Sequence, residues 1–276
     1  MGKIARTWSL MSACWQVLKR DKGLLVFPLL SGICCLALLA SFAVPLYATG
    51  AWQSAKSGDA GGHRLAYYAL LFLFYLASYF IIVFFNAGVV ACATIRLDGG
   101  DPTIGDGFRV AATRLPVILG WALVSATVGL ILKLIEDSSN KVGRFAAGLL
   151  GAGWTITTFL AVPILVVENK NPISALKDSA ALLKKTWGEQ LASTFSFGIL
   201  FLLLSLPAVL IVVLGLASGS LATAMICIGL AVLYWIGLAL VQSALQSIFQ
   251  VALYLYAKGG QVPEGFQAEL LSGALA

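Results

Sequence analysis

Gln242, Gln246 and Gln250 recur at i, i+4 and i+8 inside one apolar run, with Ser243 and Ser247 beside them. On a helix that spacing keeps the three amides on one face for about two turns. Such a face can hydrogen-bond a lipid headgroup or an uncharged solute. It can also bond neighbouring helices, the more ordinary use, at about 0.6 kcal/mol per contact. An amide stripe facing hydrocarbon is costly, so both uses predict that it turns inward. Asn86 takes the place equivalent to Gln246 when Asp98-Gly99-Gly100 is aligned with Lys258-Gly259-Gly260. Asn86, Gln242, Gln246 and Gln250 are therefore the candidate polar cluster.

Other chemistry is scarce. His63 is the only histidine and has no partner set for a metal. Cys14, Cys34, Cys35, Cys92 and Cys227 lack zinc spacing and read as small packing residues. Gly148-Leu149-Leu150-Gly151-Ala152-Gly153 lacks the Lys-Ser/Thr of a phosphate-binding loop. Lys133, Glu136 and Asp137 stand at one end of an apolar run, and Glu168 ends another. Carboxylate-driven transport needs ionisable groups inside such runs, and these have almost none. No enzyme, metal or cofactor is expected.

The elements that carry these residues are set by composition. The chain is 60% hydrophobic and 11% charged, with mean hydropathy +0.94. Soluble domains carry about 25% charged residues, so the solvent expected is lipid. Runs long enough to cross a bilayer as helix occupy 24–48, 66–93, 116–135, 145–167, 192–216 and 221–257. Pro163 and Pro207 should kink the fourth and fifth of them. The first run is longer than the roughly 7–15 residues of a signal h-region, so it reads as a retained anchor. The net charge of +6 comes from basic residues beside apolar runs, which points to membrane flanks and not to nucleic acid. Thirteen of the 18 Lys and Arg fall on one side of a six-span arrangement. That bias predicts both termini in the cytoplasm.

A repeat is also legible. Ile4, Trp8, Met11 and Trp15 share a spacing with Ile104, Phe108, Ala111 and Leu115, and with Leu176, Ala180, Leu183 and Trp187. Each set draws one apolar stripe along a helix, with Arg and Lys largely off it. Asp101-Pro102 and Asn171-Pro172 each read as a cap followed by a first-turn proline. The predicted architecture is all-α, with six transmembrane helices. They form three parallel hairpin repeats, over roughly 1–97, 98–167 and 168–257, each led by a cytoplasmic amphipathic helix at the interface. Residues 1–276 form a single transmembrane domain, and 258–276 a short amphipathic tail carrying Phe266 and Leu270, like a truncated fourth lead.

Basic, Trp-containing leads such as Ile4-Ala5-Arg6-Thr7-Trp8 and Leu183-Lys184-Lys185-Thr186-Trp187-Gly188-Glu189-Gln190 recur before hairpin pairs. The chain thereby resembles bacterial six-span inner-membrane proteins of unknown function, similar to the membrane domain associated with glycerophosphoryl diester phosphodiesterases. The resemblance covers nearly the whole chain but rests on structural motifs. It carries over no catalytic residue, and the soluble phosphodiesterase domain is absent from this reading.

The function expected is a non-enzymatic accessory or scaffold subunit of the bacterial inner membrane. Its partners would be anionic lipids and a membrane-protein complex or homo-oligomer. Arg6, Trp8, Trp15, Lys19, Arg20, Lys184, Lys185 and Trp187 would contact headgroups. The alternative is a permease or channel for a neutral or amphipathic solute, lined by the polar cluster.

Overall fold

A computed structural model describes residues 3–48, 64–138, 141–185, 190–260 and 262–266, and within them no strand occurs. The helices are α1 (Lys3–Arg20), α2 (Val26–Ala48), α3 (Arg64–Leu97), α4 (Ile104–Thr113), α5 (Leu115–Ser138), α6 (Lys141–Thr157), α7 (Ala161–Glu168), α8 (Pro172–Lys185), α9 (Gln190–Ala217) and α10 (Leu221–Gly259). A 3-10 turn, Lys22–Leu25, joins α1 to α2. Six stretches are long and apolar enough to cross a bilayer: Lys22–Pro45, Tyr67–Leu97, Leu115–Asp137, Gly143–Glu168, Gly198–Ala217 and Leu221–Gly259. They match the six runs. The exteriors fit: the first half of α10 exposes Leu221, Met225, Ile226, Leu230 and Leu233. So much contiguous apolar surface is a liability in water and the natural exterior in lipid. The protein is a multi-pass membrane protein.

Contacts group the chain into two units, one of residues 1–28, 93–102 and 184–276, the other of 29–92 and 103–183.

In the first unit α9 and α10 form a hairpin that is closed tightly. A Cβ added at Gly215 would lie 2.5 Å from Cys227 Cβ, so only glycine permits this approach. Ser220 caps α10, accepting from Thr223 N–H at 3.5 Å, after Gly219 turns the chain at φ +69°. The second half of α10 is buried, from Ala244 through Tyr254 with few breaks. α1 packs on both α9 and α10.

In the second unit the fourth span is two helices, not the single kinked one expected. The backbone leaves the α-helix at Thr158–Leu160, and Pro163 is the third residue of α7, where a missing N–H costs little. Pro207 lies inside α9, which runs unbroken from Gln190 to Ala217. Broken backbone at membrane depth is tolerated only where its polar groups are satisfied by protein. Ser179 of α8 does this: its hydroxyl donates to Thr157 O at 2.7 Å and accepts from Leu160 N–H at 3.2 Å. Arg114 Nε donates to Val166 O at 3.0 Å, covering a carbonyl of the last turn of α7. Trp121 of α5 stacks on Trp154 of α6, ring centres 6.0 Å apart and planes 13° apart.

The starts of the leading helices divide. α8 begins at Pro172 as expected, with Asn171 Oδ1 accepting from Ser174 N–H at 2.9 Å. α4 does not begin at Pro102. Its cap is Thr103, in a reciprocal box with Asp106, because Thr at the cap and Asp three residues on satisfy two orphan N–H groups together. Asp101 is bonded to Arg96 instead. The two Gly-Gly ends do not match in register: the left-handed residue is the first glycine of one pair, Gly99 at φ +86°, and the second of the other, Gly260 at φ +63°, because α10 stays helical through Gly259. After α10 the described tail, 262–266, is a turn with Pro263 and Phe266 buried, not a helix. Leu270 lies outside the described residues.

Candidate functional site

α1 has two apolar faces, and the sequence stripe picked out only one. Leu10, Ala13, Cys14, Val17 and Leu18 are buried. Leu10, Val17 and Leu18 pack against protein on this side, and that packing holds α1 in place. The stripe residues point elsewhere: Trp8 is 62% exposed and Trp15 40%. Burial pushes the Cys14 thiol well above its ordinary value, so it is a packing group and not a nucleophile.

The displayed face forms one wall of a groove of about 570 Å³. Trp8, Met11, Ser12 and Trp15 supply that wall. Phe201 and Leu204 of α9, and residues of α10 from Tyr234 to Leu245, supply the other. The lining is almost wholly apolar, and its polar tip is already engaged, since Tyr234 Oη donates to Leu204 O at 2.7 Å. Gly237 leaves the floor open: a Cβ built there meets nothing within 4 Å.

Charges stand at one end. Lys19 is exposed, with its Nζ 5.7 Å from the centre of the Trp15 ring. Arg20 pairs with Glu264 at 3.0 Å, so the Trp15 end of the groove is the end nearer the tail. Close by in sequence, Arg96 Nε donates to Asp21 at 2.6 Å and the same guanidinium bonds Asp101. Glu264 N–H donates to Leu97 O at 3.2 Å. These bonds fasten the junction after α1 to the end of α3 and to the turn after α10.

The other candidates are placed as follows. Arg6 and Lys185 are helical, and their side chains lie outside the description, as does all of Trp187. Lys184 is exposed at the end of α8. Asn86 is half-buried on α3; Gln242 and Gln250 are half-buried on α10. Gln246 is exposed, against the expectation of an inward stripe. The physical reason is position: the three amides begin where the exposed apolar half of α10 ends and its buried half starts. They occupy a boundary and not the middle of the apolar stretch.

A second cavity, of about 320 Å³, is lined by Tyr75, Lys133, Glu136 and Arg144 among others. There Lys133 bonds Glu136 at 3.2 Å and Asp137 at 3.0 Å, which neutralises most of its charge internally. Neither cavity is lined by Asn86, Gln242, Gln246 or Gln250. Among the described residues no group of His, Cys, Asp or Glu has metal-binding geometry. His63 lies outside them.

The model of a family of unknown function, DUF6159, matches residues 65–265. The chain belongs to that family. The match takes in the α9 and α10 wall of the groove but begins after α1. No curated protein matches the chain.

Sequence reasoning missed the α9 and α10 wall. The signal available was Gly237, a small residue between Ile236 and Leu238 on a stretch whose neighbours are bulky.

Proposed function

We propose that the protein is a non-enzymatic accessory or scaffold subunit of the bacterial inner membrane that organises lipid or a larger membrane complex. Both termini face the cytoplasm in this reading, and the surface that does the work is α1. The observation that carries it is the division of α1: one face is locked into protein through Leu10, Cys14, Val17 and Leu18, while Trp8, Trp15 and Lys19 are displayed. Tryptophan and lysine side by side suit the headgroup zone, where an indole sits at the boundary and each cation near an anionic surface contributes about 1 kcal/mol. The likeness to the membrane domain associated with glycerophosphoryl diester phosphodiesterases belongs to this same reading and rests on the recurring leads. The permease reading is the weaker, because Gln246 is exposed and the amide face lines neither cavity.

The test is purification of the full chain in mild detergent, with mass spectrometry of whatever lipids and proteins come with it. Retained anionic phospholipid, or a stoichiometric membrane partner, is the expected result. A chain that retains neither, yet moves a neutral solute in liposomes, would overturn the proposal.

A further inference from the structure

The groove along α1 has a size, a depth and a charge that specify an occupant. We propose that it holds one acyl chain of an anionic phospholipid of the cytoplasmic leaflet, with the phosphate at Lys19. This deepens the lipid-organising function and rests on it.

The length fits. From Tyr234 to Leu245 the helix rises about 16 Å, close to half of a hydrocarbon core about 30 Å thick. The groove is therefore long enough for an acyl chain over the depth of one leaflet. Its volume of about 570 Å³ lies in the range of small-ligand sites. The lining fits as well. Its tyrosine hydroxyl is spent on Leu204 O, so the interior presents carbon to carbon, and the bare backbone at Gly237 keeps the floor clear.

The charge gives direction. Lys19 stands over Trp15, at the end of the groove nearer the Arg20–Glu264 pair. The opposite end reaches Tyr234, within the exposed apolar half of α10. A phospholipid placed with its phosphate at Lys19 thus runs its chain toward the apolar half, and the reverse placement would bring hydrocarbon to the ammonium group. Arg20 is paired with Glu264, whereas Lys19 lies against a residue of the groove wall, Trp15, and is the cation assigned to the phosphate.

The experiment uses the full chain in nanodiscs of phosphatidylethanolamine and phosphatidylglycerol, with a trace of phosphatidylglycerol carrying a diazirine on one acyl chain. After illumination the cross-links are mapped by peptide mass spectrometry. The expected result is labelling at Trp8–Trp15 and Leu238–Leu245 well above that at Leu210 and Val213, which are exposed on α9 outside the groove. Gly237→Leu adds bulk at the floor, where a Cβ meets nothing within 4 Å, and it should cut groove labelling at least fivefold while leaving Leu210 unchanged. Lys19→Gln should reduce the preference for the anionic probe over a phosphatidylethanolamine probe about fivefold. This exposed substitution keeps the test alive should Gly237→Leu fail to insert.

Groove labelling no stronger than at Leu210, or indifferent to Gly237→Leu, would overturn the acyl-chain site. Equal labelling by both probes, unaltered by Lys19→Gln, would overturn the anionic headgroup. The two levels fail differently: loss of all co-purifying lipid and partners defeats the scaffold function, whereas retained lipid with an unlabelled groove defeats only this site.

Discussion

α8 and α1 both precede a pair of apolar helices, and each hides a different kind of residue. α8 buries a hydroxyl: Ser179 is 0% exposed and bonds both sides of the break in the fourth span. Among its described side chains α1 buries only apolar groups and a thiol, and it turns Trp8 and Trp15 outward. A hidden polar group that completes another element's backbone is a stitch, and its loss is felt as stability. Aromatic rings held at a surface by a buried opposite face are a tool for binding, and their loss is felt elsewhere. The same ribbon pattern thus serves two ends, and the buried side tells them apart.

That contrast can be broken by mutation. Ser179→Ala should have the largest effect, since it orphans Leu160 N–H and Thr157 O together, each worth about 1–3 kcal/mol when left unpaired. Thermal unfolding in detergent should show it as a clear fall in midpoint, with faster hydrogen exchange at Leu160.

Lys170 should matter less, and in a defined pH window. It bonds Asp178 at 2.6 Å and Glu168 at 2.7 Å, and these partners, Asp178 first, raise its pKa above the ordinary lysine value. A raised folded pKa means the contribution is complete below the unfolded value of about 10.4 and is lost as pH rises through the folded one. The melting midpoint should therefore fall at strongly alkaline pH, and Lys170→Met should flatten that fall while changing little at neutral pH, because the group is well exposed.

Trp8→Ala should have the smallest effect on folding, within about 0.5 kcal/mol for so exposed a side chain. It should nonetheless reduce retained lipid in native mass spectrometry. A melting loss as large as that of Ser179→Ala would erase the distinction between the two helices.

Much of the fold was legible because lipid imposes it. Six apolar runs and a cap at Asn171-Pro172 follow from local rules of length and capping. The start of α4 was misplaced because Asp101-Pro102 and Thr103-x-x-Asp106 are both good starts locally, and Arg96 takes Asp101 away from the choice. The break in the fourth span was read as a kink, since Pro163 is visible in sequence whereas Ser179, which bonds Leu160 N–H across the break, is 19 residues further on, on another helix. For the site, periodicity found the exposed face of α1 but not the buried one. Leu10, Cys14, Val17 and Leu18 form a second stripe, and which of two apolar stripes packs inward is decided by a neighbour and not by α1 itself. The groove's far wall depends on α9 meeting α10, a tertiary fact that Gly215 permits without announcing.

In the proposed topology α1 and its groove lie on the cytoplasmic side of the membrane. Single cysteines at three exposed positions, Lys22→Cys, Ser218→Cys and Val262→Cys, test it when treated with a membrane-impermeant maleimide in intact cells. Ser218→Cys should be labelled from outside, and Lys22→Cys and Val262→Cys only after permeabilisation. Labelling of Lys22→Cys in intact cells, or of all three alike, would contradict it.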